Sequence, residues 1–290
     1  MLVRQAYTSV NYCRGGHTPI IAITREMGSL GKDVARGLGE ALGLPVIYHE
    51  VIDPLADRMR VRKSHVIRLL DGSAGLLERL TADKTSLSIY TADEIYGIAA
   101  KGGAIIRGWG ATHLLRVIPH VVGVRVCAPF ELRKRRMMER LGSDDEQRVA
   151  EEIRVNDEAH SAIMRRHFGV QWTEPEHYDI VFNTKRVSVE ECVHEVLTLA
   201  RSPQFEETEP SRARLADLAL AARVRAALRR APETREARVQ VSSASGRITL
   251  SGASSTDEML AFVEVASAVP GVRDLAYRTN PGEEVRPRFH

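Results

Sequence analysis

Starting at Ile20, an apolar run gives way to the Gly-containing stretch Glu26–Lys32, and then to Val34, Leu38, Ala41 and Leu42 on one helical face. Gly43 sits where a helix C-cap glycine belongs and Pro45 lies just beyond, so the pattern predicts strand, loop and helix. Four further apolar runs follow at Val46–Tyr48, Ala104–Arg107, Val121–Val126 and Asp179–Asn183. Between them the spacing is helical: from His49 to Lys101, with turns at Asp71–Ser73 and Lys101–Gly103, then over Glu131–Leu141 and Asp144–Phe168. Ser188 and Glu191 form a capping box that opens a helix running to about Ala200. Strands alternating with helices predict an α/β fold with a five-stranded parallel sheet. The His49–Lys101 segment is expected to lay helices on one side of that sheet without adding a strand.

The grammar changes after Ser202. Ser202–Pro210 carries two prolines and three glutamates without periodicity and reads as a linker. Leu215–Ala231 is an Ala/Leu/Arg helix, and Ala237–Ser243 and Ile248–Leu250 are strands around Ser245-Gly246. Ser255 with Glu258 caps a helix to Val269, and Val272–Tyr277 is a last strand. This α-β-β-α-β order is long enough for a small independent core. The expected organisation is a flexible lead-in at 1–17, an α/β domain at 18–202, a linker at 203–212, a small domain at 213–280 and a polar tail at 281–290. Cutting the linker should leave both domains folded.

Composition narrows the function classes. The chain has 290 residues, 43% hydrophobic and 27% charged, as expected of globular protein. It has neither an apolar run of membrane-spanning length nor an N-terminal signal-peptide pattern, so a cytoplasmic location is expected. Cys13, Cys127 and Cys192 are too few and too scattered for a disulfide framework or a zinc site, and the last two read as core residues. With 41 basic and 38 acidic residues the net charge is +3, which gives no reason to expect nucleic-acid binding. Locally, Arg133-Lys134-Arg135-Arg136 with Arg140 concentrates positive charge, Arg133, Arg136 and Arg140 recurring at i, i+3 and i+7.

A helix beginning near Gly31 presents amide groups with no intrahelical partner, and the macrodipole adds to their pull on an anion. Gly28 and Gly31 allow the backbone to wrap a phosphate, and Lys32 supplies a point charge. The cofactor-binding candidates are therefore Gly28, Ser29, Leu30, Gly31, Lys32 and Asp33. The strict pattern G-x-x-x-x-G-K-[ST] fails at both ends, with Glu26 at its first glycine and Asp33 after the lysine. Ligands bind at the carboxyl ends of parallel strands, where Gly108–Gly110, Pro129 and Asn183-Thr184 also fall.

Ile23-Thr24-Arg25-Glu26-Met27-Gly28-Ser29-Leu30-Gly31-Lys32, Ala128–Arg133 with Met138-Glu139-Arg140, and Trp172–Asp179 followed by Asn183-Thr184 together resemble the cytidylate kinase-like family. That resemblance implies a P-loop nucleoside monophosphate kinase fold with ATP and Mg²⁺ at the loop, a nucleotide or small phosphorylated acceptor under the helical insertion, and an arginine-bearing lid. On this reading Lys32, Arg133 and Arg136 are catalytic, and Arg25, Arg107, Asp157 and Arg165 contact substrate. Arg25 and Glu26 could instead pair with each other, His160 reads as solvated, and Trp109 and Trp172 read as packing. Three departures stand out. Val34 offers no hydroxyl to a metal, whose ligands stay unassigned, Tyr48 replaces an acidic residue, and Trp109 replaces an arginine. The alternative reading is therefore a domain that binds nucleotide without turnover. Gly246–Gly252 with Val269-Pro270-Gly271-Val272 resembles a BON domain, which implies phospholipid or other small-ligand binding.

Overall fold

A computed structural model describes residues 18–48, 52–66, 83–108, 110–236, 239–252, 255–280 and 283–285. The lead-in 1–17, the turn at 71–73, Trp109 and most of the tail lie outside them. The chain forms two compact units, one of residues 1–56, 61–82 and 101–207, the other of 57–60, 83–100 and 208–290.

The first unit is built on five parallel strands in the order β2-β3-β1-β4-β5. They are β1 (Ile20–Arg25), β2 (Val46–Ile47), β3 (Ala104–Arg107), β4 (Val121–Cys127) and β5 (Ile180–Asn183). β1 is central, pairing in register Ile20↔Ala104 on one side and Ile20↔Val121 on the other. Its residues Ile20–Thr24 are all buried, because helices cover both faces of such a sheet. Helix α1 (Gly31–Leu42) packs Val34, Ala35 and Leu38 into that core, and Gly43 ends it at φ 65°, its N–H donating to Gly39 O. α2 (Ile52–Met59) opens the insertion between β2 and β3, and α3 (Lys84–Ala99) closes it. α4 (Ala111–Leu115) follows β3, and α5 (Phe130–Leu141) and α6 (Glu146–Phe168) lie between β4 and β5. α7 (Val189–Ala200) starts on the expected Ser188/Glu191 capping box and seats Cys192, Val193 and Val196 in the core.

In the second unit, α8 (Glu209–Arg230) and α9 (Thr256–Ser267) cover a sheet of β6 (Gln240–Ala244), β7 (Arg247–Ser251), β8 (Asp274–Asn280) and β9 (Glu283–Val285), in that order. Three expectations are corrected. α8 begins at Glu209, inside the expected linker, because Thr208 and Ser211 form a reciprocal cap and Pro210 suits a first helical turn. Residues 283–285, expected in a polar tail, pair antiparallel with β8. α3, expected to lie on the first sheet, instead packs with α8 in the second unit. Among the described residues no helix is long and apolar enough to cross a membrane.

Candidate active site

The loop after β1 has a strained backbone. Gly28 sits at φ 79° and Leu30, a non-glycine, at φ 64° just before α1. A Cβ on Gly28 would come within 2.7 Å of Arg133 O, and one on Gly31 within 2.5 Å of Arg25 Cβ, so both glycines are needed for close approach. The Ser29 hydroxyl is buried beneath the loop and donates to Val126 O at 3.0 Å. α1 then points its first amides at the space above, the first intrahelical contacts being made by Asp33 N and Val34 N to Leu30 O.

That space is a pocket of about 240 Å³ lined by Gly28, Leu30, Gly31, Lys32 and Asp33 of the loop and helix start, with Arg25, Tyr48, Arg107, Arg136, Met137 and Arg140 around them. Five cationic side chains face it against the single carboxylate of Asp33. Asp33 is itself engaged by Arg36 at 2.7 Å. Such a balance favours a polyanion, and the helix N-terminus adds to it. Arg107, buried at the end of β3, stacks over the Tyr48 ring with its guanidinium carbon 3.8 Å from the centroid. Arg136 reaches over the loop, its Nη1 donating to Thr184 Oγ1 at 2.9 Å and to Gly28 O at 3.5 Å, and its Nη2 to Thr184 O at 2.8 Å. Thr184 Oγ1 in turn donates to Ser29 O at 2.9 Å. Burial, then the neighbouring Arg135, pull the Arg136 pKa below the usual arginine range.

Arg133 is placed differently. It is buried under the loop, its Nε donating to Ala128 O at 3.1 Å and its Nη1 to Met27 O at 3.3 Å. It makes a two-pronged pair with Asp157 at 3.2 and 2.8 Å, and its Nε lies 3.4 Å from Glu26 Oε2. Glu26 also accepts from Arg125 Nη2 at 2.8 Å and from Ala128 N at 3.1 Å. Among the described residues its ion pairs are thus with Arg125 and Arg133, and not with Arg25, the alternative that the sequence left open. Arg25, Gly28, Leu30, Gly31, Lys32, Asp33, Arg107 and Arg136 are brought together. Ser29, Arg133 and Asp157 lie in the supporting layer, and Arg165 is exposed on α6 away from the pocket lining. The one-face spacing of Arg133, Arg136 and Arg140 hid this split, because height along α5 decides it: Arg133 sits in the first turn, level with the loop. Tyr48, Arg140 and Thr184 were absent from the expected site. The sequence signals for them are position, at the carboxyl ends of β2 and β5 and one turn beyond Arg136, and, for Arg140 and Thr184, their place in the blocks that resemble the family.

Trp172 packs, as expected, with its Nε1 donating to Ser161 Oγ at 2.8 Å. His160 is partly buried rather than a solvated helix residue: it meets the Trp172 ring edge-on at 4.3 Å, and burial, then Arg25 and Arg125, push its pKa down to about 4. Cys192 is a core thiol, pushed up to about 11 by burial, then Glu191. Among the described residues no cluster of His, Cys, Asp or Glu forms a metal cage. A Mg²⁺ ion could still be accommodated as it commonly is, by phosphate oxygens and water with at most the Asp33 carboxylate from the protein.

A five-stranded parallel sheet of order 2-3-1-4-5, with a glycine loop and a lysine at the start of the helix after the central strand, defines a P-loop kinase fold. The chain belongs to the cytidylate kinase-like family, whose sequence model matches residues 20–186. Residues 216–278 match the BON domain. No curated protein matches the chain. Among solved structures, an uncharacterized protein from Eubacterium ventriosum is 21% identical over 64% of this chain and 99% of that one, at a TM-score of 0.49. A sugar kinase from Janibacter sp. HTCC2649 is 17% identical over 66% and 99%, at 0.37. Shikimate kinase from Acinetobacter baumannii in complex with shikimate is 13% identical over 65% and 96%, at 0.39.

Proposed function

We propose that the first unit transfers the terminal phosphoryl group of ATP to a nucleoside monophosphate of the CMP type or a similar small phosphorylated acceptor. The observation that carries this reading is the convergence of Lys32, the loop amides and four arginines on one pocket at the carboxyl end of the sheet. Phosphoryl transfer asks a protein mainly for positioning and charge compensation. Lys32 and the amides of Gly28, Leu30, Gly31 and Lys32 would hold the donor phosphates, the Ser29 amide being taken by Glu26 O, and Arg136 and Arg140 would meet charge developing on the transferring group. Arg25 and Arg107 would hold the acceptor's phosphate, with Tyr48 backing Arg107. A bound Mg²⁺ would neutralise phosphate charge. Arg133 and Asp157 are assigned a positioning role: they hold the loop from beneath. This reading has the protein working in the cytoplasm, where ATP is available, and assigns the BON domain a phospholipid or other small ligand, to be checked by vesicle cosedimentation.

The test is ADP release from ATP and Mg²⁺ with each nucleoside monophosphate in turn. Arg136→Ala should lower kcat more than it lowers ATP affinity, since its contribution grows with transition-state charge. Release of no ADP with any acceptor, together with tight ATP binding, would replace the enzyme by a nucleotide sensor.

A further inference from the structure

Helix α3 lies in sequence between two strands of the first sheet, yet it folds with the C-terminal unit. Its buried residues Leu87, Tyr90, Thr91, Ile95, Tyr96 and Ala99 go around the helix rather than along one stripe, so α3 needs cover on more than one side. α8 has the matching property. Leu220, Ala221, Val224 and Leu228 face its own domain core, which leaves Leu215, Ala219, Ala222 and Ala226 as a second buried stripe of mostly small side chains. The α3–α8 packing is locked at the start of α3. Asp83 caps α3 by accepting from Ser86 N at 3.0 Å, and Arg229 of α8 donates from Nη2 to both Asp83 oxygens at 3.0 and 2.9 Å and from Nε to Ser86 Oγ at 2.7 Å. The end of α2 joins the same body, Arg58 pairing with Asp93 at 2.6 Å and Glu94 at 3.1 Å.

The described parts of the insertion held in this way, the end of α2 and α3, lie in sequence between Tyr48 and Arg107, the stacked pair that forms one wall of the anion pocket. We propose that the C-terminal module controls the order of that wall through α3, so that loosening α8 from α3 loosens the segment leading into Arg107. The device is an element shared by chain connection: α3 draws its stability from one unit and delivers its C-terminus to the other. Whatever the module binds can then bias the pocket, and pocket occupancy must bias the module equally.

Amide hydrogen exchange on the full chain tests this without any turnover. Arg229→Ala removes a charge-assisted contact to the α3 cap, and Ala222→Leu overfills the small-residue stripe. Each should speed exchange across residues 84–99 about tenfold or more. Each should also speed exchange across 104–108, where Gly108 N donates to Ile23 O at 2.8 Å, and leave 189–200 unchanged. Unchanged exchange at 84–99 in Arg229→Ala would overturn the proposal, as would faster exchange at 84–99 with 104–108 unaffected. Failure of the wild-type chain to bind nucleotide would sink the phosphoryl-transfer reading and leave these exchange outcomes decisive for the coupling.

Discussion

Lys32 and Arg133 are both cations beside the glycine loop, and their surroundings give them opposite uses. Lys32 is exposed at the pocket, so Lys32→Ala should fold normally and weaken ATP roughly 10- to 100-fold by calorimetric titration, the worth of one charge-assisted bond. Arg133 is buried between Glu26 and Asp157, and its removal strands the Asp157 carboxylate and takes one of two arginines from Glu26, which keeps Arg125. Arg133→Ala should therefore cost about 3 kcal/mol in urea unfolding, a loss Lys32→Ala does not show. His160 gives a pH signature. Its pKa is lower folded, about 4, than the ordinary 6.5, so the unfolded chain binds more protons between those values. Stability tied to this residue is complete above about pH 6.5 and is lost as pH falls toward 4. The melting temperature of His160→Asn should fall less steeply over that range than that of the wild type.

At the scale of elements, the loop and α1 were legible because strand, glycine turn and helix each have a local chemical cause. Gly28 shows where local cause ends. Its positive φ is a local matter, while the 2.7 Å approach to Arg133 O comes from a helix far along the chain. Gly28→Ala should then disturb both stability and ATP binding. Gly142→Ala, at φ 60° with nothing within 4 Å, should carry only backbone strain of about 1 kcal/mol and leave ATP titration unchanged. The arginine helix shows the same limit. Periodicity places Arg133, Arg136 and Arg140 on one face, but only packing decides that the first supports the loop while the other two line the pocket.

At the scale of the molecule, the C-terminal unit takes α3 and residues 57–60 from the chain between β2 and β3, so the linker is not a clean seam. A chain ending at Glu207 should keep a folded parallel sheet but lose exchange protection across 84–99, because α3 is left without α8. Equal protection in the shortened and full chains would restore the picture of two separable domains. The sequence by itself determined the strand–helix alternation, the glycine loop, the capping boxes at Ser188 and Ser255, and the family likeness of both parts, since each is written in neighbouring residues through propensity, capping and periodicity. Tertiary structure alone decided which arginines reach the pocket, that Glu26 pairs with Arg125 and Arg133, that His160 is kept neutral, and that α3 belongs with α8. Those outcomes depend on burial and on contacts between residues distant in sequence, for which a one-dimensional pattern holds no distance.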